Sequence, residues 1–195
     1  MSVLVGHIAP DFNAEACVKG EFKDISLSDY HDKKNVLLVF YPLDFTFVCP
    51  TELVALESKL AEFKKRDVEV LGCSVDSKFS HKAWLDMPRE KGGINGISYP
   101  IVSDIHKIIS RDYDVLSEEG VAYRGLFLID KKGVVRHQVV NDMPIGRSIE
   151  EALRVVDAMI HADTHGEVCP ANWEKGKDAI KTTQESVSGY LSKTK

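Results

Sequence analysis

The sequence is short of cysteine, and none of the four it has falls in a Cys-x-x-Cys pair: Cys17, Cys49, Cys73 and Cys169 stand alone. That excludes the usual zinc spacing and the dithiol loop of a thiol-disulfide oxidoreductase. Basic charge is also short. Lys and Arg number 25 against 30 Asp and Glu, a formal net charge of −5, so nucleic acid is set aside as a partner. No apolar run approaches membrane-spanning length, and no membrane contact is expected. The start, MSVLVGHIAPDF, has neither a basic region ahead of an apolar one nor an Arg-rich amphipathic pattern, which gives a cytoplasmic expectation. His7, His31, His81, His106, His137, His161 and His165 show no metal spacing, and the Gly-rich KGGING stretch, Lys91 to Gly96, does not open a helix after a strand. Neither a metal nor another cofactor is expected.

What is present suits one core with an appended tail: 195 residues, 44% hydrophobic. Phe12 to Val18 and Glu21 to Leu27 read as a hairpin around Lys19-Gly20. VLLVFY, Val36 to Tyr41, and VEVLGCSV, Val68 to Val75, read as strands buried on both faces. Between them Leu53, Leu56, Leu60 and Phe63 mark one face of a helix that starts near Pro50. A second helix runs through Phe79, Ala83, Trp84 and Leu85 and stops at Pro88. A short strand at Tyr99 to Val102 and a helix from about Ile105 to Tyr113 follow, then a hairpin around Lys131-Lys132-Gly133. The firmest helix is SIEEALRVVDAMIHA, with Ser148 and Glu151 spaced as a capping box. Beyond Gly166 the chain reads as a tail, TTQESVSGYLSKTK at its end. The expectation is an α/β fold, a mixed central sheet flanked by helices, divided into residues 1–165 and an extension over residues 166–195.

Active residues in such a sheet sit where a strand's C-terminal end meets a helix start, and Cys49 is at such a place. With Pro50 as the first helical residue, Cys49 is the N-cap and Glu52 the third position. The sulfur then faces unpaired amides and the positive end of the helix dipole, which favour thiolate over thiol. A buried, inert cysteine beside Phe45, Phe47 and Val48 is the alternative. Thr46, three residues earlier, brings a hydroxyl within reach, and Pro42 stiffens the wall.

Pro42-x-x-x-Thr46-x-x-Cys49 resembles the active-site motif of the peroxiredoxins, thiol peroxidases of thioredoxin-like fold. FYPLDFTFVCPTE as a block and VCPANW at Val168 to Trp173 are similar to the typical two-cysteine, alkyl hydroperoxide reductase C type subfamily. The resemblance implies that Cys49 is the peroxidatic residue, with Thr46 and Arg124 as donors to the peroxide and Glu52 and Arg147 holding them. By position alone Arg124 and Arg147 read as exposed charges, and Glu52 as a capping residue. Trp84 matches a residue packed near the pocket, or is core filler. Cys17 and Cys73 read as packed thiols. By the same resemblance Cys169 is the resolving thiol, pairing with Cys49 of a neighbour in a homodimer that thioredoxin reduces and that closes into a ring of five dimers. GGING and Tyr190-Leu191 match only half of the features of overoxidation-prone members, which implies intermediate sensitivity. The substrates expected are hydrogen peroxide and small organic hydroperoxides. A redox relay or holdase acting through protein contacts is the alternative of another class.

Overall fold

A run such as VLLVFY has large apolar side chains on both faces, so as a strand it must lie inside a sheet covered on each side. A computed structural model, which describes residues 3–193, makes it β3 (Asn35–Phe40), with every residue buried. The first two residues of MSVLVGHIAPDF and the last two of TTQESVSGYLSKTK lie outside the described residues. β1 (Asn13–Val18) and β2 (Glu21–Ser26) form the first hairpin, turned by Lys19 and Gly20 at φ 51° and 83°, the paired positive values a type I′ turn needs. β4 (Val68–Ser74) lies parallel to β3, and β5 (Ile101–Ser103) parallel to β4. β6 (Arg124–Ile129) is antiparallel to β3, and β7 (Val135–Asn141) to β6. The described residues thus form a seven-stranded mixed sheet of order β2-β1-β5-β4-β3-β6-β7.

The two faces of β3 serve different cores. Val36, Leu38 and Phe40 join a cluster with Leu71, Phe127 and Tyr113, in which the Tyr113 and Phe127 rings meet edge to face at 4.9 Å. Helix α1 (Cys49–Lys64) packs on β4 and buries Leu53, Leu56, Leu60 and Phe63, the stripe its spacing predicts. α2 (Lys78–Asp86) is capped by the Ser77 hydroxyl, which accepts the Ser80 N–H, and packs near β1 and β5. The next helix, α3 (Ile108–Asp112), is shorter than the Ile105-to-Tyr113 pattern suggests. The Asp104 carboxylate accepts the Ile109 and Ser110 amides and Lys107 sits in left-handed backbone, so the chain turns for four residues before it coils.

The chain divides into two compact units, Met1–Ile149 and Glu150–Lys195. The second carries nearly all of α4 (Ile149–His165) and all of α5 (Gln184–Lys193). Between these helices Val168 bridges Ile180, and Arg154 Nη1 donates to the Trp173 carbonyl. The stretch read as a tail thus ends in a helix, α5. The Thr183 hydroxyl accepts the Ser186 N–H and starts a turn, but the helix has no fully buried residue, so its composition stays polar.

Candidate active site

Cys49 ends the loop that follows β3, and its position in the helix differs by one from the expectation. Val48, with helical dihedrals, is the N-cap; Cys49 is the first residue of α1 and Pro50 the second. The Val48 carbonyl takes both the Thr51 and the Glu52 N–H, so these amides are not turned to the sulfur. The partner is a side chain instead. Arg124 Nη1, from the start of β6, lies 3.4 Å from Cys49 Sγ and 2.7 Å from Glu52 Oε2. Arg124 Nε donates to the Met143 carbonyl at 2.6 Å, which fixes the fork.

Glu52 is no capping residue here. Its Oε1 accepts the Arg147 backbone N–H at 2.8 Å and Arg147 Nε at 2.7 Å, and its Oε2 accepts Arg147 Nη2 at 2.9 Å. Arg147 Nη1 donates onward to the Gly125 carbonyl, the residue beside Arg124. Neither arginine is the exposed charge its position suggested: Arg124 is 3% exposed and Arg147 9%. Burial pushes the Glu52 carboxyl up, but hydrogen bonds and charge from Arg147, with help from Arg124, outweigh it and hold the group below the usual carboxylate range.

Cys49 is fully buried, yet among polar partners rather than sealed in hydrocarbon. Burial pushes the Cys17, Cys73 and Cys169 thiols up, Cys73 most strongly. Cys17 and Cys73 are fully buried, as packed thiols. Cys169 is half-buried and donates to the Ala158 carbonyl at 3.5 Å.

The loop holds the other expected residues. Pro42 is buried, and the Thr46 hydroxyl donates to the Leu43 carbonyl at 2.8 Å, leaving its lone pairs to accept. Trp84 is core and more: fully buried, it donates from Nε1 to the Gly92 carbonyl and sets its ring 5.7 Å from that of Phe45. Sequence reasoning missed the anchor at the near end of this loop. Asp44 accepts from the Tyr41 hydroxyl at 2.8 Å and the Ser80 hydroxyl at 2.7 Å, and meets His81 Nδ1 at 2.9 Å. Asp44 N–H donates to Asp76, and His81 Nε2 reaches the Val102 carbonyl. No spacing reveals this set, because its members come from the β3 end, the β4 end and α2. Among the described residues no cluster of His, Cys, Asp and Glu is arranged to hold a metal.

The AhpC/TSA family model matches residues 5–138, which carry Cys49, Glu52 and Arg124. The chain belongs to this family, the peroxiredoxins. The model for the C-terminal domain of 1-Cys peroxiredoxin matches residues 158–193 as well. Bovine (Bos taurus) peroxiredoxin-2 is 54% identical over 97% of this chain and 95% of its own. A thioredoxin peroxidase of Echinococcus granulosus is 49% identical over 98% of this chain and all of its own. The reduced 2-Cys peroxiredoxin of Plasmodium vivax superposes with a TM-score of 0.96 at 50% identity, over 98% of this chain and all of that one. The α/β class read from the order of strands and helices holds, as does the thioredoxin-like fold implied by the motif, and the peroxiredoxin membership makes the chain a thiol peroxidase.

Proposed function

We propose that the chain reduces hydrogen peroxide and small organic hydroperoxides at Cys49, is resolved by Cys169 and is recycled by thioredoxin. One observation carries this reading: Arg124 Nη1 lies 3.4 Å from the buried Cys49 Sγ, its guanidinium held there by Glu52 and the Met143 carbonyl. Arg124 touches the sulfur and Glu52 at once, so a fixed positive donor already stands where negative charge develops during peroxide attack.

The thiolate attacks one peroxide oxygen; an S–O bond forms, the O–O bond breaks, and the departing oxygen takes a proton and leaves as water or alcohol. Arg124 stabilises the negative charge as it moves from sulfur to the leaving oxygen. Thr46, its proton committed to Leu43, accepts the peroxide hydrogen and aims the bond at the sulfur. Pro42 and Trp84 hold the wall and the loop, while Glu52 and Arg147 keep Arg124 in place. The Cys169 thiol then attacks the sulfenic acid, a disulfide forms and water leaves, and a thioredoxin dithiol takes up the disulfide's oxidation. That Cys169 is part-exposed and outside the Cys49 unit supports its role.

A homodimer paired through two intersubunit disulfides, closing into a ring of five dimers, follows from the family motif, and exposed Phe45, Phe47 and Phe79 leave apolar surface for contact between copies. Packed, unpaired Cys17 and Cys73 suit a reducing compartment, the cytoplasm. No helix of the described residues is long and apolar enough to cross a membrane. No observation favours the relay or holdase reading over this one.

The test is peroxide consumption with a thioredoxin system, read beside a non-reducing gel. Cys49→Ser is expected to consume none. Cys169→Ser is expected to give a single turnover without a reducible dimer. Full turnover in either variant contradicts the assignment.

A further inference from the structure

α4 stops at Gly166, whose φ of 65° and N–H bond to the Ala162 carbonyl end the coil and turn the chain. Val168 then pairs with Ile180 through two backbone hydrogen bonds, at 2.8 and 3.0 Å. In an extended stretch the residues on either side of Val168 point the same way, opposite to Val168 itself, which is 45% exposed. Glu167 and Cys169 accordingly both meet α4. The Glu167 carboxylate lies 3.0 Å from His161 Nε2, and the Cys169 thiol donates to the Ala158 carbonyl about one turn earlier. A carboxylate only accepts, so His161 Nε2 carries the hydrogen.

Cys169 sits between two charges of opposite sign. Burial works against its thiolate most, the Arg154 charge works for it, and the Glu167 charge works against it. Arg154 Nη1 is bound to the Trp173 carbonyl, which keeps the guanidinium beside this segment. The other charges of the packed segments are engaged elsewhere. Glu151 takes Arg154 through both carboxylate oxygens, Glu174 acts on Arg154 as well, and Asp157 faces Lys175 at 4.0 Å. The His165 and Trp173 rings lie 4.5 and 4.8 Å from that of His161 and hold it in place. The His161 hydrogen bond therefore decides where the Glu167 charge points.

We propose that His161 is a positioning residue for the resolving step: by holding the Glu167 carboxylate it leaves the Cys169 sulfur to the charge of Arg154, and so keeps that thiol ready to attack Cys49. This rests on the reading of Cys169 as the resolving thiol. In the step itself the Cys169 thiolate attacks the Cys49 sulfenic acid. An S–S bond forms, the S–O bond breaks, and the departing hydroxide takes up the proton that Cys169 gave and leaves as water. Only the thiolate attacks, so the balance of charge at Cys169 enters the rate directly. Without His161, the Glu167 carboxylate is free to turn to the sulfur two residues away.

Two variants separate the ring of His161 from its N–H. His161→Phe keeps a ring beside Trp173 and loses the donor, while His161→Gln keeps a donor and loses the ring. In a Cys49→Ser background, alkylation of Cys169 by iodoacetamide is followed against pH and located by peptide. The expected result is a midpoint raised by about half a pH unit in His161→Phe, with alkylation about threefold slower below it, the scale of one part-exposed charge pair. His161→Gln stays near the wild-type midpoint. Glu167→Gln removes the charge and lowers the midpoint, and adding His161→Phe to it shifts nothing further. With Cys49 restored, disulfide formation after rapid mixing with peroxide slows by the same factor in His161→Phe. A midpoint that stays put in His161→Phe overturns the proposal, as does a shift that survives in the Glu167→Gln background. Faster alkylation at every pH with a fixed midpoint makes His161 a packing residue only and overturns it too. Wild-type protein that forms no disulfide between Cys49 and Cys169 overturns the resolving role itself, and the proposal with it.

Discussion

Arg124 Nη1 lies 3.4 Å from Cys49 Sγ, although the two residues are 75 positions apart and start different elements, one a strand and the other a helix. The contact joins the proposed nucleophile to a charge that cannot be lost near neutral pH. It also makes Arg124 the residue whose removal costs most after the sulfur itself.

Replacing Arg124 by Ala is expected to lower the rate constant for peroxide attack by about a hundredfold, the usual loss for one donor at a developing oxyanion. Lys restores charge but not the fork that holds Cys49, Glu52 and the Met143 carbonyl together, so Arg124→Lys recovers only part of it. Stopped-flow mixing measures both.

Glu52 predicts a pH-dependent stability. Its carboxyl is held below the usual range in the folded chain, so its contribution is full above about 4.5, the ordinary value, and is lost as pH falls through the lowered one. Glu52→Gln leaves Arg124 and Arg147 facing one another and costs about 3 kcal/mol at pH 7. Denaturant unfolding should show the gap between variant and wild type closing as pH falls below about 4.5 and through the lowered value. A gap that persists unchanged into acid would contradict the ion-pair account.

Much of this site is legible in the amino-acid sequence, for reasons that differ by residue. Cys49, Pro42 and Thr46 lie within eight residues, and a strand-to-helix junction is a local pattern. The β3 run and the apolar stripe of α1 are local too. Arg124 and Arg147 are not readable from position, because what buries them is a carboxylate on another element, and only the motif resemblance assigns them. The expectation of Cys49 as N-cap misses by one residue because Val48 itself adopts helical dihedrals and its carbonyl closes the first turn. Asp44 with His81 has no signal at all, since 37 positions separate them. The α5 helix is hidden by its exposure, which leaves no apolar stripe to count.

Thr46 separates a donor role from an acceptor role. Because its proton goes to the Leu43 carbonyl, the useful atom is the oxygen lone pair. Thr46→Ser keeps that oxygen and should retain most of the activity. Thr46→Val keeps the shape and loses the oxygen, and should slow peroxide attack by about tenfold or more, the cost of a hydrogen bond left unmade. Rates for the pair, measured with the disulfide step blocked, decide the point.

The central claim is that one sulfur, Cys49, is the nucleophile that the buried Arg124 serves. Its most direct test is mass analysis of Cys169→Ser protein after one equivalent of hydrogen peroxide, with the added oxygen located by peptide. The account predicts one oxygen on Cys49, trapped by a sulfenic-acid reagent, and none on Cys17 or Cys73. Oxygen spread over the other thiols, or an unmodified Cys49 while peroxide disappears, would contradict it.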